Sequence, residues 1–98
     1  MNMQALMQQA KQMQKDITNA QKIINETEFT GKNGLVTVTM MGDKRLKEVK
    51  IEQDDDIKED LSILEDMIVL ATNDALNQVD KLTEEKMGKY SNMMPGLF

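Results

Sequence analysis

The sequence has no cysteine, histidine or tryptophan, and it has one tyrosine, two phenylalanines and one proline. Each absence removes a class of function. Without cysteine there is no disulfide scaffold, no thiolate zinc site and no cysteine nucleophile. Without histidine the chain lacks the commonest general base near neutral pH and the commonest metal ligand. No apolar run approaches the roughly 18–20 residues of a membrane-spanning helix. The stretch from Met1 to Lys15 has no basic segment leading into an apolar one, so a secretory signal is not expected and a cytoplasmic location is.

Scarce aromatics leave the 98 residues with few large core anchors, whereas methionine occurs ten times. A chain this short buries only about 60–65% of its unfolded surface. Burial against a second copy would relieve that shortage, so oligomerisation is expected before any motif is read.

Charge is abundant but uneven. Twelve basic and seventeen acidic residues give a net charge of −5. Residues 1–25 carry Lys11, Lys15 and Lys22 against Asp16, a net of +2. Residues 54–89 carry eleven acids against four lysines, a net of −7. The two ends of the chain are built for different surroundings.

The N-terminal segment has a strong helical period. Met3, Leu6, Ala10, Met13, Ile17, Ala20 and Ile24 recur at spacings of three and four, with Met7 and Ile23 widening the stripe. A helix over 3–26 is expected. The period then changes to two. Strands are expected over 28–31, 35–41 and 45–51, with a turn at Asn33-Gly34 and another at Gly42-Asp43. In the third strand Leu46, Val49 and Ile51 do not alternate cleanly, which suggests a bulge. A second helix is expected over 55–87, opened by Asp54-Asp55-Asp56, because acids complement the positive end of the helix dipole. Its apolar positions run Ile57, Leu61, Leu64, Ile68, Ala71, Ala75, Val79 and Leu82, and Gly88 reads as the stop. The tail, 91–98, has no period.

These elements make one α+β domain of order α-β-β-β-α, a small antiparallel three-stranded sheet flanked by two long helices. The second helix has a broad apolar middle that suits the sheet. The heptad seam of the first helix (Met3, Leu6, Ala10, Met13, Ile17, Ala20 and Ile24) then has little left in the same chain to meet it. A homodimer in which the seam is the interface is the expected solution.

No catalytic set is recognisable. The acids from Asp54 to Asp60 lack the glycine and spacing of a calcium loop and read as a solvated helix start. No phosphate-cradling glycine motif is present. No enzyme activity, cofactor, metal, membrane or small-molecule substrate is expected.

Three basic groups remain. On the helix face opposite the seam stand Gln4, Gln8, Lys11, Lys15, Thr18 and Lys22, with no acid among them. Such donors along about 33 Å of helix suit phosphate oxygens, although a coiled-coil exterior looks the same. The second group is Lys44, Arg45 and Lys47 at the second turn. The third is Lys81, Lys86 and Lys89, whose position also complements the helix dipole. Charge alone leaves DNA binding undecided. A different class of reading fits too: a coiled-coil adaptor or prefoldin-like holdase whose methionines grip apolar clients.

The order of motifs resolves this further. Met3 to Lys15 is rich in Met-Gln repeats, and Gly31 to Asp43 reads G-x-x-G-L-V-x-V-x-M-x-G-D. Leu64-Glu65-Asp66-Met67, Ala71-Thr72-Asn73-Asp74-Ala75, Glu85-Lys86-Met87-Gly88 and a Met94-Pro95-Gly96-Leu97-Phe98 end follow. Together they resemble the YbaB/EbfC nucleoid-associated protein family over nearly the whole chain. The resemblance implies a bacterial, cytoplasmic, nucleoid-associated protein that forms an intertwined homodimer with helices projecting like tweezer arms. It implies binding to double-stranded DNA with little sequence dependence and an influence on nucleoid organisation and gene expression. It also implies that helix 1 and the end of helix 2 are the contacting arms, which falls on Lys11, Lys15, Lys22, Lys81, Lys86 and Lys89.

Overall fold

The computed structural model describes residues 2–56 and 60–91. The elements follow in the order α1 (Met3–Glu26), β1 (Glu28–Asn33), β2 (Val36–Met41), β3 (Leu46–Ile51) and α2 (Leu61–Ser91). The three strands form one antiparallel meander, β1-β2-β3. The shape is long: the radius of gyration is 19.3 Å and the extents are 71 × 20 × 15 Å. A compact domain of this size would have a radius nearer ~13 Å.

Helix α1 begins at the Asn2 cap, whose side-chain oxygen accepts from the Gln4 amide at 3.0 Å. It ends where Thr27 turns extended and its N–H returns to the Ile24 carbonyl. The first hairpin turns at Gly34-Leu35 rather than at Asn33-Gly34, because Asn33 already pairs with Val36. Gly34 takes a φ of 55°, which glycine adopts without strain. Strand β3 carries the expected bulge, the register slipping between Thr39 and Met40 so that Lys47 is the extra residue.

Helix α2 differs from expectation at both ends. It starts at Leu61, not at 55, because Asp60 supplies the cap. The Asp60 carboxylate accepts from the Ile63 amide at 3.3 Å and the Ser62 hydroxyl at 2.8 Å. Those two donors, the hydroxyl first, hold its pKa below the ordinary aspartate value. Asp55 and Asp56 instead form a turn, and Ile57 lies outside the described residues. The helix also runs through Gly88 to Ser91. A glycine with no left-handed φ and no other break lowers helix propensity without ending the helix.

That extra length gives α2 two jobs. Its middle covers one face of β1 and β2, where Ala71, Ala75 and Val79 meet Phe29, Val36, Val38 and Met40 in the main core. The approach is close at Gly31: a methyl there would lie 2.1 Å from the Ala71 carbonyl and 2.6 Å from the Ala75 nitrogen. Its last turns pass beyond the sheet and meet α1, so that Ile17, Ile24, Met87 and Tyr90 form a second buried cluster, flanked by Met13, Ala20 and Leu82. The expectation that the α1 seam lacks a partner in its own chain is therefore corrected for its C-terminal half. Met3, Leu6 and Ala10, the N-terminal half, stay exposed.

Two glycine substitutions check this packing with opposite signs. Gly31→Ala must push two backbone groups apart and is expected to cost at least about 1–3 kcal/mol. Gly88→Ala meets only the Glu84 Cγ at 3.7 Å and is expected to stabilise by about 0.5–1 kcal/mol. Urea unfolding midpoints at one protein concentration separate the two; equal midpoints would contradict the close helix–sheet contact.

Candidate nucleic-acid interface

The heptad geometry of α1 fixes where its polar side chains point. With Ile17 and Ile24 turned into the α2 contact, Lys11, Lys15 and Lys22 stand exposed on the far side. Lys11 to Lys22 spans about 16 Å of helix axis. Two shallow grooves run along this face. One is lined by Lys11, Gln14, Lys15, Thr18 and Asn19, and the next by Ile17, Thr18, Gln21, Lys22, Asn25 and Glu26. Gln4 and Gln8 continue the exposed face toward the N-terminus.

Helix-internal hydrogen bonds organise the surroundings. Gln12 donates to Asp16 at 3.0 Å, Gln21 donates to Asn25 at 2.8 Å, and the Thr18 hydroxyl donates to the Gln14 carbonyl at 2.9 Å. The Asp16 carboxylate is thus engaged by a glutamine. Among the described residues no acid pairs with Lys11, Lys15 or Lys22.

The second basic group has a different environment. Lys44 pairs with Asp80 at 3.5 Å and Arg45 with Asp43 at 3.5 Å, while Lys47 pairs with Glu28 across β2. The Glu28 carboxylate, by hydrogen bond and by charge, raises the Lys47 pKa above the usual lysine value. Every cation of this group is therefore matched by an acid, and the turn has little surplus positive charge. All four residues of that tight turn, Gly42 to Arg45, are held in place, with Lys44 at a φ of 72° and the Gly42 amide donating to the Thr27 carbonyl. Lys44 and Asp80 meet Gln21 and Asn25 in one polar cleft beside the turn, where α1 and α2 come close to each other.

The third group lies on the arm formed by the last turns of α2. Lys81 and Lys89 are exposed and Lys86 is half-buried, and the Lys89 ammonium sits 5.0 Å from the centre of the Tyr90 ring. The structure thus brings the first and third groups onto one two-helix arm and leaves the second at the sheet. Sequence reasoning overlooked Gln14, Asn19 and Asn25 in the grooves. Their signal was available as short polar residues on the same side of the heptad as the lysines.

A profile of the YbaB/EbfC DNA-binding family matches residues 1–94. A nucleoid-associated protein of Enterococcus faecalis is 44% identical over 97 residues, covering 97% of this chain and 93% of that one. One from Lactococcus lactis subsp. cremoris is also 44% identical, covering 97% of this chain and 98% of its own. The crystal structure of an uncharacterized protein from Helicobacter pylori superposes with a TM-score of 0.70 at 25% identity, covering 95% of this chain and 97% of the other. Motif order, α-β-β-β-α topology and full-length similarity agree, and the chain belongs to the YbaB/EbfC DNA-binding family.

Proposed function

We propose that this protein is a nucleoid-associated homodimer that binds double-stranded DNA with little sequence dependence, through phosphate contacts made along its helical arms. It is not read as an enzyme, and its family is a DNA-binding one. The observation that carries the reading is the row Lys11, Lys15 and Lys22, exposed on one face of a projecting helix and unmatched by acids among the described residues. Ammonium groups at that spacing, with Gln and Thr donors between them, suit a phosphate backbone and read no base edge. Lys81, Lys86 and Lys89 extend the same arm. The net charge of −5 limits long-range attraction, so binding depends on this local row and is sensitive to salt. A place in the cytoplasm at the nucleoid follows from that activity. None of the described helices is long and apolar enough to cross a membrane.

Dimerisation doubles every lysine, and the sheet supports a site for it. The outer edge of β1 is occupied: Asp74 accepts from the Lys32 amide at 3.0 Å, and Gln78 donates to the Thr30 carbonyl at 2.8 Å. Among the described residues nothing covers the β3 edge in this way, and every residue of that strand is exposed. Ile51, Val49 and Leu46 pair with Val36, Val38 and Met40, so they share the apolar face of the sheet. Helix α2 crosses β1 and β2 and leaves them uncovered. A second copy on this strip would complete the core.

Two measurements check the proposal. Fluorescence anisotropy with ~30-base-pair duplexes of unrelated sequence is expected to show similar affinities whose logarithm falls with log salt by roughly 0.9 per phosphate neutralised. Replacing Lys11, Lys15 and Lys22 by Glu should flatten that slope by about three contacts per engaged arm; unchanged affinity and slope would remove α1 from the interface. For the dimer, Val49→Asp with Ile51→Asp is expected to move the sedimentation mass from twice 11.2 kDa to 11.2 kDa. A wild-type protein that is already monomeric, or a variant that stays dimeric, would overturn the β3 junction.

A further inference from the structure

Two exposed helix surfaces at opposite ends of the molecule have matching shape and opposite charge. The first is on the opening turns of α2. The rows Leu61-Glu65-Val69 and Ser62-Asp66-Leu70 each step by four residues, lie side by side, and are exposed throughout, with Leu61 at 66%, Val69 at 56% and Leu70 at 53%. The second is on the N-terminal half of α1. There Met3, Met7, Lys11 and Lys15 form one exposed row of the same step, with two apolar side chains followed by two basic ones.

Rows that step by four are the ridges which seat in one another's grooves where helices cross. The groove between the two α2 rows is walled by Leu61, Val69 and Leu70 and carries the carboxylates of Glu65 and Asp66. The α1 row offers methionines to the first set and ammonium groups to the second. Among the described residues no ion pair engages Lys11, Lys15, Glu65 or Asp66.

Within one chain the two surfaces cannot meet. Lys15 stands two residues before Ile17, which is clustered with Met87 and Tyr90. Glu65 lies about 33 Å back from Met87 along the same helix. Any contact between these surfaces therefore joins different chains, and because it joins unlike surfaces it propagates head to tail.

We propose that the N-terminal half of α1 docks in the α2 groove of another copy, Met3 and Met7 against Leu61, Val69 and Leu70, and Lys11 and Lys15 against Glu65 and Asp66. Charge selects a second copy as the occupant: residues 1–25 carry a net of +2 and residues 54–89 a net of −7. The contact is distinct from the apolar β3 junction and goes beyond DNA binding. It draws on lysines that the DNA-binding reading also uses, so the acidic groove and a duplex compete for the same arm.

Sedimentation of the full-length protein without DNA tests the proposal. The mass is compared at about 0.01 M and about 1 M salt, where the Debye length is about 30 Å and about 3 Å. At high protein concentration the low-salt mass should exceed the high-salt mass by about twofold or more, and the excess should grow with concentration. A Lys11→Glu, Lys15→Glu variant and a Glu65→Lys, Asp66→Lys variant should each show no excess alone. Mixed in equal amounts they should regain it, because each then meets its opposite charge; the regain also shows that both are folded. No low-salt excess in the wild type, an excess in either variant alone, or a silent mixture would overturn the docking. The ratio is taken against the same protein at high salt and no duplex is present, so its failure is separate from failure of the β3 dimer or of DNA binding.

Discussion

The contact of Ile17 and Ile24 on α1 with Met87 and Tyr90 on α2 determines the form of everything outside the sheet. Without it α1 would be a single helix tethered at Thr27, and its lysines would have no fixed direction. With it, the overhang of α2 becomes a strut and the two helices make one arm. The contact depends in turn on the length of α2. The helix must first traverse the sheet, held close by Gly31 beneath Ala71 and Ala75, and only then reach the seam. The 71 Å long axis of the molecule exceeds the roughly 46 Å that the 31 residues of α2 span, so the exposed N-terminal part of α1 adds to the length.

The arrangement also separates charge by function. Acidic residues dominate the second half of the chain, yet the cations at the β2–β3 turn are each engaged by one of Asp80, Asp43 and Glu28. These pairs are exposed and contribute little to stability. Their effect is to neutralise the β2–β3 turn, whereas Lys11, Lys15 and Lys22 on α1 and Lys81, Lys86 and Lys89 on α2 form no ion pair among the described residues. A protein with a net charge of −5 can thus present a basic face to a polyanion at short range.

Much of the fold was legible in the residues. The three-four spacing from Met3 to Ile24 marked α1, and the alternation of Val36, Val38 and Met40 marked the strand on which α2 rests. The bulge at Lys47 was visible as a broken alternation. The ends of α2 were not. Asp54, Asp55, Asp56 and Asp60 are alike as cap acceptors, and only the Ser62 hydroxyl and Ile63 amide single out Asp60. Gly88 looked like a stop because its neighbours' tertiary anchor, Tyr90 against Ile17, is not a local signal. The same hidden contact explains why the α1 seam seemed to need another chain along its whole length. Of the basic groups, Arg45 with Asp43 could have been paired from sequence. Lys44 with Asp80 and Lys47 with Glu28 are brought together only by the sheet and α2.

The arm as the DNA-contacting element is tested most directly by mapping amide chemical shifts of the labelled protein as a short duplex is added at low salt. Changes confined to Gln8 through Asn25 on α1, with smaller ones at Lys81 to Lys89, are the expected result. Changes centred on Lys44, Arg45 and Lys47, with α1 silent, would contradict the arm and place the interface at the sheet.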